Sequence, residues 1–307
     1  MTINIGNSSI NSIYVGDTAV KSVYLGDNLV YSNESEPSTE IDKAYNYFVF
    51  DTTKVNDTES SAARSIGFRE YRAGDETAWS GITDWGDGTV NTEMTHQYAK
   101  DGIYTVKTKW AINGATATAG DILYTGDMLI RCENINKNIT SLDYFFIGCK
   151  NLTYINTNFD SSKVTSMNQT FVLCSSLTSL NLSGWNTSNM TKIYRVFSQC
   201  SGLTSLNLSG WDTTCMTSGM DMFSSCEKLR SLDLSSWNVD NVTDMRYMFS
   251  YCYRLTSLNL SGWNMDNVTN TTKMFYLHSD NLTINKIIMT GCNDATKTKI
   301  QKALNAK

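Results

Sequence analysis

The side chains in this 307-residue chain with the clearest capacity for nucleophilic or metal chemistry are eight cysteines and two histidines. Five of the cysteines, Cys149, Cys174, Cys200, Cys226 and Cys252, recur 25 or 26 residues apart. A zinc site would call for close pairs such as C-x-x-C, which are absent, and a disulfide framework for staggered pairs. One position repeated along an array instead predicts a ladder of small, buried, free thiols. Cys132, Cys215 and Cys292 fall outside that ladder. Asp84 and Asp87, in the segment Asp84-Trp85-Gly86-Asp87-Gly88-Thr89, are carboxylates of a tight turn. Their expected work is to hold that turn through side-chain-to-backbone hydrogen bonds. His96 lies in a H-x-Y motif and is expected to pack, and His278 stands where the array would place another cysteine. Nucleophile–base catalysis would need one of these two histidines. No G-x-S-x-G, P-loop, H-E-x-x-H or G-x-G-x-x-G segment occurs. No catalytic residue, metal ligand or cofactor is therefore expected, and the chain does not read as an enzyme.

The elements that must position these residues come from repeats. Trp185, Trp211, Trp237 and Trp263 are spaced by 26, as are Phe171, Phe197, Phe223, Phe249 and Phe275. An earlier copy with Phe146, Cys149 and Leu152 is one residue shorter and has Phe159 at the Trp position. The segment Ile139–Cys149 matches Val242–Cys252 position for position. Each unit has two parts. In the first, Leu180 and Leu182 alternate with polar residues, which predicts a short strand with one buried face. In the second, Val242, Met245, Met248, Phe249 and Cys252 fall on a helical stripe, with Asn241 or Thr243 as the cap. Neither part can bury its apolar side alone, so the units are expected to stack into a solenoid. Parallel strands from successive units would form one sheet about 25–30 Å long.

These units resemble the BspA-type leucine-rich repeats, in which Leu, Trp, Val or Met, Met, Phe and Cys recur in register; the closest copies are Leu203–Cys226 and Leu229–Cys252. That resemblance implies a surface or adhesion protein. The middle of the chain adds W-G-D-G-T at Trp85–Thr89, His96-Gln97-Tyr98 and Gly102-Ile103-Tyr104-Thr105-Val106. These motifs resemble the PKD-type immunoglobulin-like sandwich, and Tyr104, Val106, Thr108 and Trp110 alternate as in a strand. The chain opens on a ten-residue repeat: Ile13-Tyr14-Val15-Gly16-Asp17, then Val23-Tyr24-Leu25-Gly26-Asp27, after a first copy at Ile3–Asn7. Each copy reads as a strand, a Gly-Asp turn and a return strand. Such arms look like those of structural proteins of gut bacteriophages. Hairpins this small cannot stand alone, so they either attach to a partner or pack on the next domain. Residues 32–43, polar and acidic with the single proline, form a linker.

The expected fold class is multidomain and β-rich: an N-terminal β-hairpin arm at 1–31, the linker at 32–43, a PKD/Ig-like β-sandwich at 44–131, an α/β leucine-rich-repeat solenoid at 132–292 and a C-terminal capping helix at 293–307. The 41% hydrophobic content excludes wholesale disorder, and a net charge of −5 argues against binding nucleic acid through bulk charge. No apolar run approaches the roughly 20 residues of a membrane helix, and no secretory leader opens the chain.

Candidate interaction residues fall on three surfaces. Particle attachment is expected at Tyr14, Val15, Tyr24 and Leu25. The solvent face of the strands would carry Tyr154, Asn156, Asn181, Asn207, Asp233 and Asn259, either as a broad weak-binding platform or as a solvated stabilising ladder. The second half of the units is less uniform, with Arg195, Arg246 and Arg254 beside Tyr194, Tyr247 and Tyr253. The function expected is that of a bacteriophage virion structural protein, a fibre or capsid decoration. It would assemble in the host cytoplasm with other virion proteins and as a homo-oligomer, a trimer being the usual fibre solution, and it would display adhesive modules toward a host-surface glycan or protein. The alternative is a bacterial cell-surface adhesin of the BspA type. The leaderless start favours the virion.

Overall fold

The structure is a computed structural model that describes residues 14–15, 18–19, 22–25, 28–32, 46–54, 65–67, 82–93, 95–108, 128–135, 139–158, 160–191, 193–278 and 282–306. The chain divides into two compact units, Met1–Lys43 and Ala44–Lys307.

In the first unit, β1 (Tyr14–Val15) pairs antiparallel with β2 (Thr18–Ala19), and β3 (Ser22–Leu25) with β4 (Asn28–Ser32). Val15 faces Thr18 and Leu25 faces Asn28, so two residues of sequence, Gly16-Asp17 and Gly26-Asp27, separate the paired strands of each hairpin. Gly-Asp suits a two-residue hairpin because its turns demand positive φ. The first sequence copy lies outside the described residues, as do residues 33–43 of the linker expected at 32–43, whose first residue, Ser32, ends β4.

The second unit starts with β5 (Asn46–Asp51), β6 (Ser65–Gly67), β7 (Thr83–Asp84), β8 (Val90–Asn91), β9 (Thr95–Gln97) and β10 (Ile103–Thr108). Alternation along β5 and β10 sends Phe48, Phe50, Val106 and Thr108 inward. Next come β11 (Leu129–Asn134) and β12 (Tyr154–Ile155). The main sheet runs β12-β11-β5-β10-β7-β8, and β6 pairs with β9 separately. Strand β11 bonds antiparallel to β5 on one side and parallel to β12, the first strand of the repeat array, on the other. The boundary expected between residues 131 and 132 therefore falls inside a strand that both modules share. Phe48 of β5 also meets Phe145 of the first repeat at 6.4 Å. One buried core runs through both parts.

The repeats coil once per unit and present β13 (Ser179–Asn181), β14 (Ser205–Asn207), β15 (Ser231–Asp233), β16 (Ser257–Asn259) and β17 (Ile287–Ile288). Pairing is parallel and in register, with Leu180 opposite Leu206 and Leu232 opposite Leu258. The strands form separate short sheets, β13-β14 and β15-β16-β17, rather than one continuous sheet. The interruption falls between β14 and β15. There the Trp237 indole N–H lacks a partner among the described residues, whereas those of Trp211 and Trp263 donate to Leu182 O and Leu234 O of the coil before.

The second half of each unit is not a helix. Residues 246–251 form consecutive turns. Alternate amides bond back three residues, as Met248 N–H does to Met245 O and Ser250 N–H to Tyr247 O. The amides between them reach the next coil: Met245 to Asn270 O, Tyr247 to Thr272 O, Phe249 to Met274 O and Tyr251 to Tyr276 O. Two residues per coil are left-handed, as at Tyr247 (φ 57°) and Tyr251 (φ 58°), and this ends any helical run. The apolar spacing of three in Val242, Met245 and Met248 fits such turns as well as a helix. Asn241 and Thr243 do not cap a helix but donate to Thr214 O and Thr217 O of the preceding coil. The repeat array is thus a stack of strands and turns, and the only α-helix among the described residues is α1 (Asp294–Asn305).

Stacked rings fill the array. Phe146, Phe171, Phe197, Phe223, Phe249 and Phe275 form a near-parallel column at 5.3–5.7 Å per step. Each offset pair contributes about 0.5–1.5 kcal/mol beyond burial. Helix α1 closes the far end. Asn293 accepts from Thr296 N–H at its start, and Thr296 Oγ1 accepts from Met265 N–H. The Lys299 ammonium donates to three carbonyls of the last coil, Met265 O (2.6 Å), Asp266 O (3.0 Å) and Val268 O (3.0 Å). No described helix is long and apolar enough to cross a membrane.

Candidate functional site

The turn at Asp84–Thr89 is built as its residue types suggest. Asp84 Oδ1 accepts from Gly86 N–H at 3.0 Å and Asp87 Oδ1 from Thr89 N–H at 2.9 Å. Gly86 has φ +80°, and a Cβ there would stand 2.5 Å from Thr105 O. Trp85 is fully buried, and the Tyr98 hydroxyl donates to its carbonyl at 2.7 Å. The His96 ring stacks on Trp85 and meets Asp87 Oδ2 through Nε2 at 2.7 Å. Partial burial opposes the charge on Asp87, but the Thr89 N–H and then His96 outweigh it and hold this carboxyl below its ordinary range. Both carboxylates and the histidine thus have structural partners within the turn.

The thiols lie along the interior. Cys149, Cys174, Cys200, Cys226 and Cys252 are buried and free. From Cys174 onward each Sγ–H donates to the carbonyl of a phenylalanine one coil earlier, Phe146, Phe171, Phe197 and Phe223 in turn, at 3.0–3.2 Å. Burial pushes Cys200 and Cys252 up to about 12 and raises Cys174 and Cys226 well above the ordinary thiol value. A thiol held protonated is a poor nucleophile and a poor metal ligand. Cys132 is buried in β11, and Cys292 donates to Leu260 O, while Cys215 is exposed. Among the described residues no group of three or more His, Cys, Asp or Glu could hold a metal ion.

On the strand face the structure sets Asn181 opposite Asn207 and Asp233 opposite Asn259, in register within each strand pair. Each turns its Oδ1 onto the amide two residues on: Ser183, Ser209, Ser235 and Ser261. Asn156 does the same with Asn158 N–H. The Ser235 hydroxyl, aided by its amide and the Asn259 side chain, holds Asp233 below the ordinary carboxylate range. These oxygens therefore shape the turn that ends each strand. Tyr154, 41% exposed, lies beneath the Arg131 guanidinium at 4.5 Å. Tyr14 and Val15 fall on β1 and Tyr24 and Leu25 on β3 of the arm.

The turn face holds a grouping that sequence reading caught only in part. Tyr247 and Tyr253 stand out in the sequence, but Tyr251, Lys273 and Tyr276 join them in the structure. Tyr251 meets Tyr253 at 6.2 Å and Tyr276 at 5.5 Å, both edge to face. Lys273 Nζ lies 4.5 Å from the centre of the Tyr276 ring and 6.0 Å from that of Tyr247. Writing the repeats in their 26-residue register would have revealed it, since Tyr253 stands where earlier coils have Glu227, Ser201 and Ser175.

A family model described as "Mycoplasma protein of unknown function, DUF285" matches residues 130–231 and 201–290, together just over half of the 307 residues. Among curated proteins and among solved structures nothing matches the chain significantly.

Proposed function

The chain belongs to the DUF285 family of Mycoplasma proteins of unknown function, and from that premise we propose that it is a non-catalytic structural protein of a bacteriophage virion. In this reading a β-hairpin arm attaches the chain to the particle, and a PKD-like module with BspA-type repeats is displayed outward for adhesion. The observation that carries the reading is the arm. It is a unit of its own, and its hairpins β1-β2 and β3-β4 each pair only within themselves among the described residues. Two-stranded hairpins are marginal in isolation, and their outer edges are templates for pairing with another chain. Neighbouring virion proteins, or further copies of this chain, supply those edges. Many copies on one particle would turn a weak contact into avid binding through effective concentration.

The alternative location is a bacterial cell surface, favoured by the kinship of the repeats with BspA-type adhesins. Deleting residues 1–31 separates arm from cargo. The truncated chain should keep the far-ultraviolet circular dichroism and thermal transition of the 44–307 unit yet no longer join particles. Unfolding of the truncated chain, or its undiminished incorporation, would overturn the attachment role of the arm.

A further inference from the structure

We infer that the tyrosine cluster on the turn face of the last two coils is a binding site for an acidic glycan. The inference rests on the display reading above and names the surface that does the recognising. Aromatic groups gather only here on the turn face of the neighbouring coils. At the position of Tyr251 the two coils before carry Ser225 and Gln199, and at that of Tyr276 they carry Ser250 and Ser224. Core packing does not require these rings, because the repeated Phe column already fills the interior. Tyr253 is 48% exposed and Leu277 47%.

The arrangement has what a sugar needs. Edge-to-face packing of Tyr251 against Tyr253 and Tyr276 makes a stepped aromatic surface on which the C–H faces of pyranose rings can lie. None of the hydroxyls of Tyr247, Tyr251, Tyr253 and Tyr276 has a hydrogen-bond partner among the described residues, so all four can bond sugar hydroxyls. The charge is also specific. Lys273 lies over two of the rings, and neither it nor exposed Arg254 forms an ion pair among the described residues. Arg195 and Arg246, by contrast, are paired with Asp221 and Asp244. An unpaired Lys273 over two aromatic rings, with exposed Arg254 next to Tyr253 in the sequence, on a chain of net charge −5, fits a sugar bearing a carboxylate or sulfate rather than a neutral one.

The coil that carries this cluster also ends the turn-side backbone ladder. In inner coils the amides equivalent to Lys273 and Leu277, those of Tyr247 and Tyr251, donate to the next coil. Those of Lys273 and Leu277 have no acceptor among the described residues, and both residues are left-handed (φ 52° and 49°).

The test is calorimetric and NMR titration of the full chain with tetragalacturonate and a heparin tetrasaccharide, with maltotetraose as the neutral control. The expected result is binding of at least one acidic probe in the micromolar-to-millimolar range, at least tenfold tighter than maltotetraose. Tyr253→Ala should weaken it at least tenfold with unchanged circular dichroism, and Lys273→Met should abolish the preference for acidic over neutral sugar. Failure of both acidic probes to bind, or binding indifferent to both substitutions, overturns the inference. So does capture of polyglutamate but no sugar through the same residues, or self-association in sedimentation velocity that Tyr253→Ala abolishes. Incorporation into particles without sugar binding would sink this inference and leave the display reading standing.

Discussion

Raising the pH from 8 to 10 should cost this protein an unusually large part of its stability, and the thiol column is the reason. Cys174, Cys200, Cys226 and Cys252 are completely buried, and each spends its proton on a carbonyl of the coil before. Burial pushes Cys200 and Cys252 from an ordinary value of 9.0 up to about 12, and the other two lie well above 9.0. Unfolding releases these thiols to ionise. Between the unfolded and folded values the native state holds the extra protons, so stability is whole below pH 9 and drains away as the pH rises towards 12. Each such thiol costs up to about 1.4 kcal/mol per pH unit in that window. From pH 8 to 10 each contributes a little over 1 kcal/mol, and four together about 5 kcal/mol, comparable to the entire stability of many domains. Urea unfolding followed by tryptophan fluorescence in reducing buffer reads this directly. Cys200→Ala should remove about a quarter of the pH dependence, whatever it does to stability at pH 8. A profile flat from pH 8 to 10, or one that Cys200→Ala leaves unchanged, would refute the protonated thiol column.

Two substitutions probe the ends of the second unit. Lys299→Met keeps the packed stem but strips three carbonyls of a charged donor; it should cost about 2–4 kcal/mol and lower the melting temperature by about 5–10 °C, with exposed Lys302→Met as the silent control. Gly86→Ala combines a left-handed φ with a Cβ 2.5 Å from Thr105 O, so it should destabilise by about 2–4 kcal/mol in chemical denaturation and redshift Trp85 emission.

The parts of the fold that could be read in the sequence are those where one residue type answers one local demand. The hairpins β1-β2 and β3-β4 are announced by the Gly-Asp pairs between their strands in the sequence, and the turn at Asp84–Thr89 is legible from its own Gly and Asp residues. The strand half of each repeat follows from strict alternation. The other half does not, because Val242, Met245 and Met248 carry a spacing of three that helices and successive turns share. What decides between them is where the backbone amides go, and at Met245 and Tyr247 they go to a neighbouring coil. Nor does the sequence reveal that β11 serves both modules, since strand partners far apart in the chain leave no periodic trace. On the strand face, residue type gave the polar ladder, but not that each Oδ1 is used by its own turn. The tyrosine cluster escaped a reading made residue by residue because it spans two coils.

The proposal of a virion protein is tested most directly by quantitative mass spectrometry of phage particles banded from a lysate, with host envelope fractions measured alongside. The account predicts this chain in the particles at a fixed copy number set by their symmetry, together with the neighbours that its arm pairs with. Its presence in the host envelope alone, with none in the particles, would contradict the account and make it a cell-surface protein.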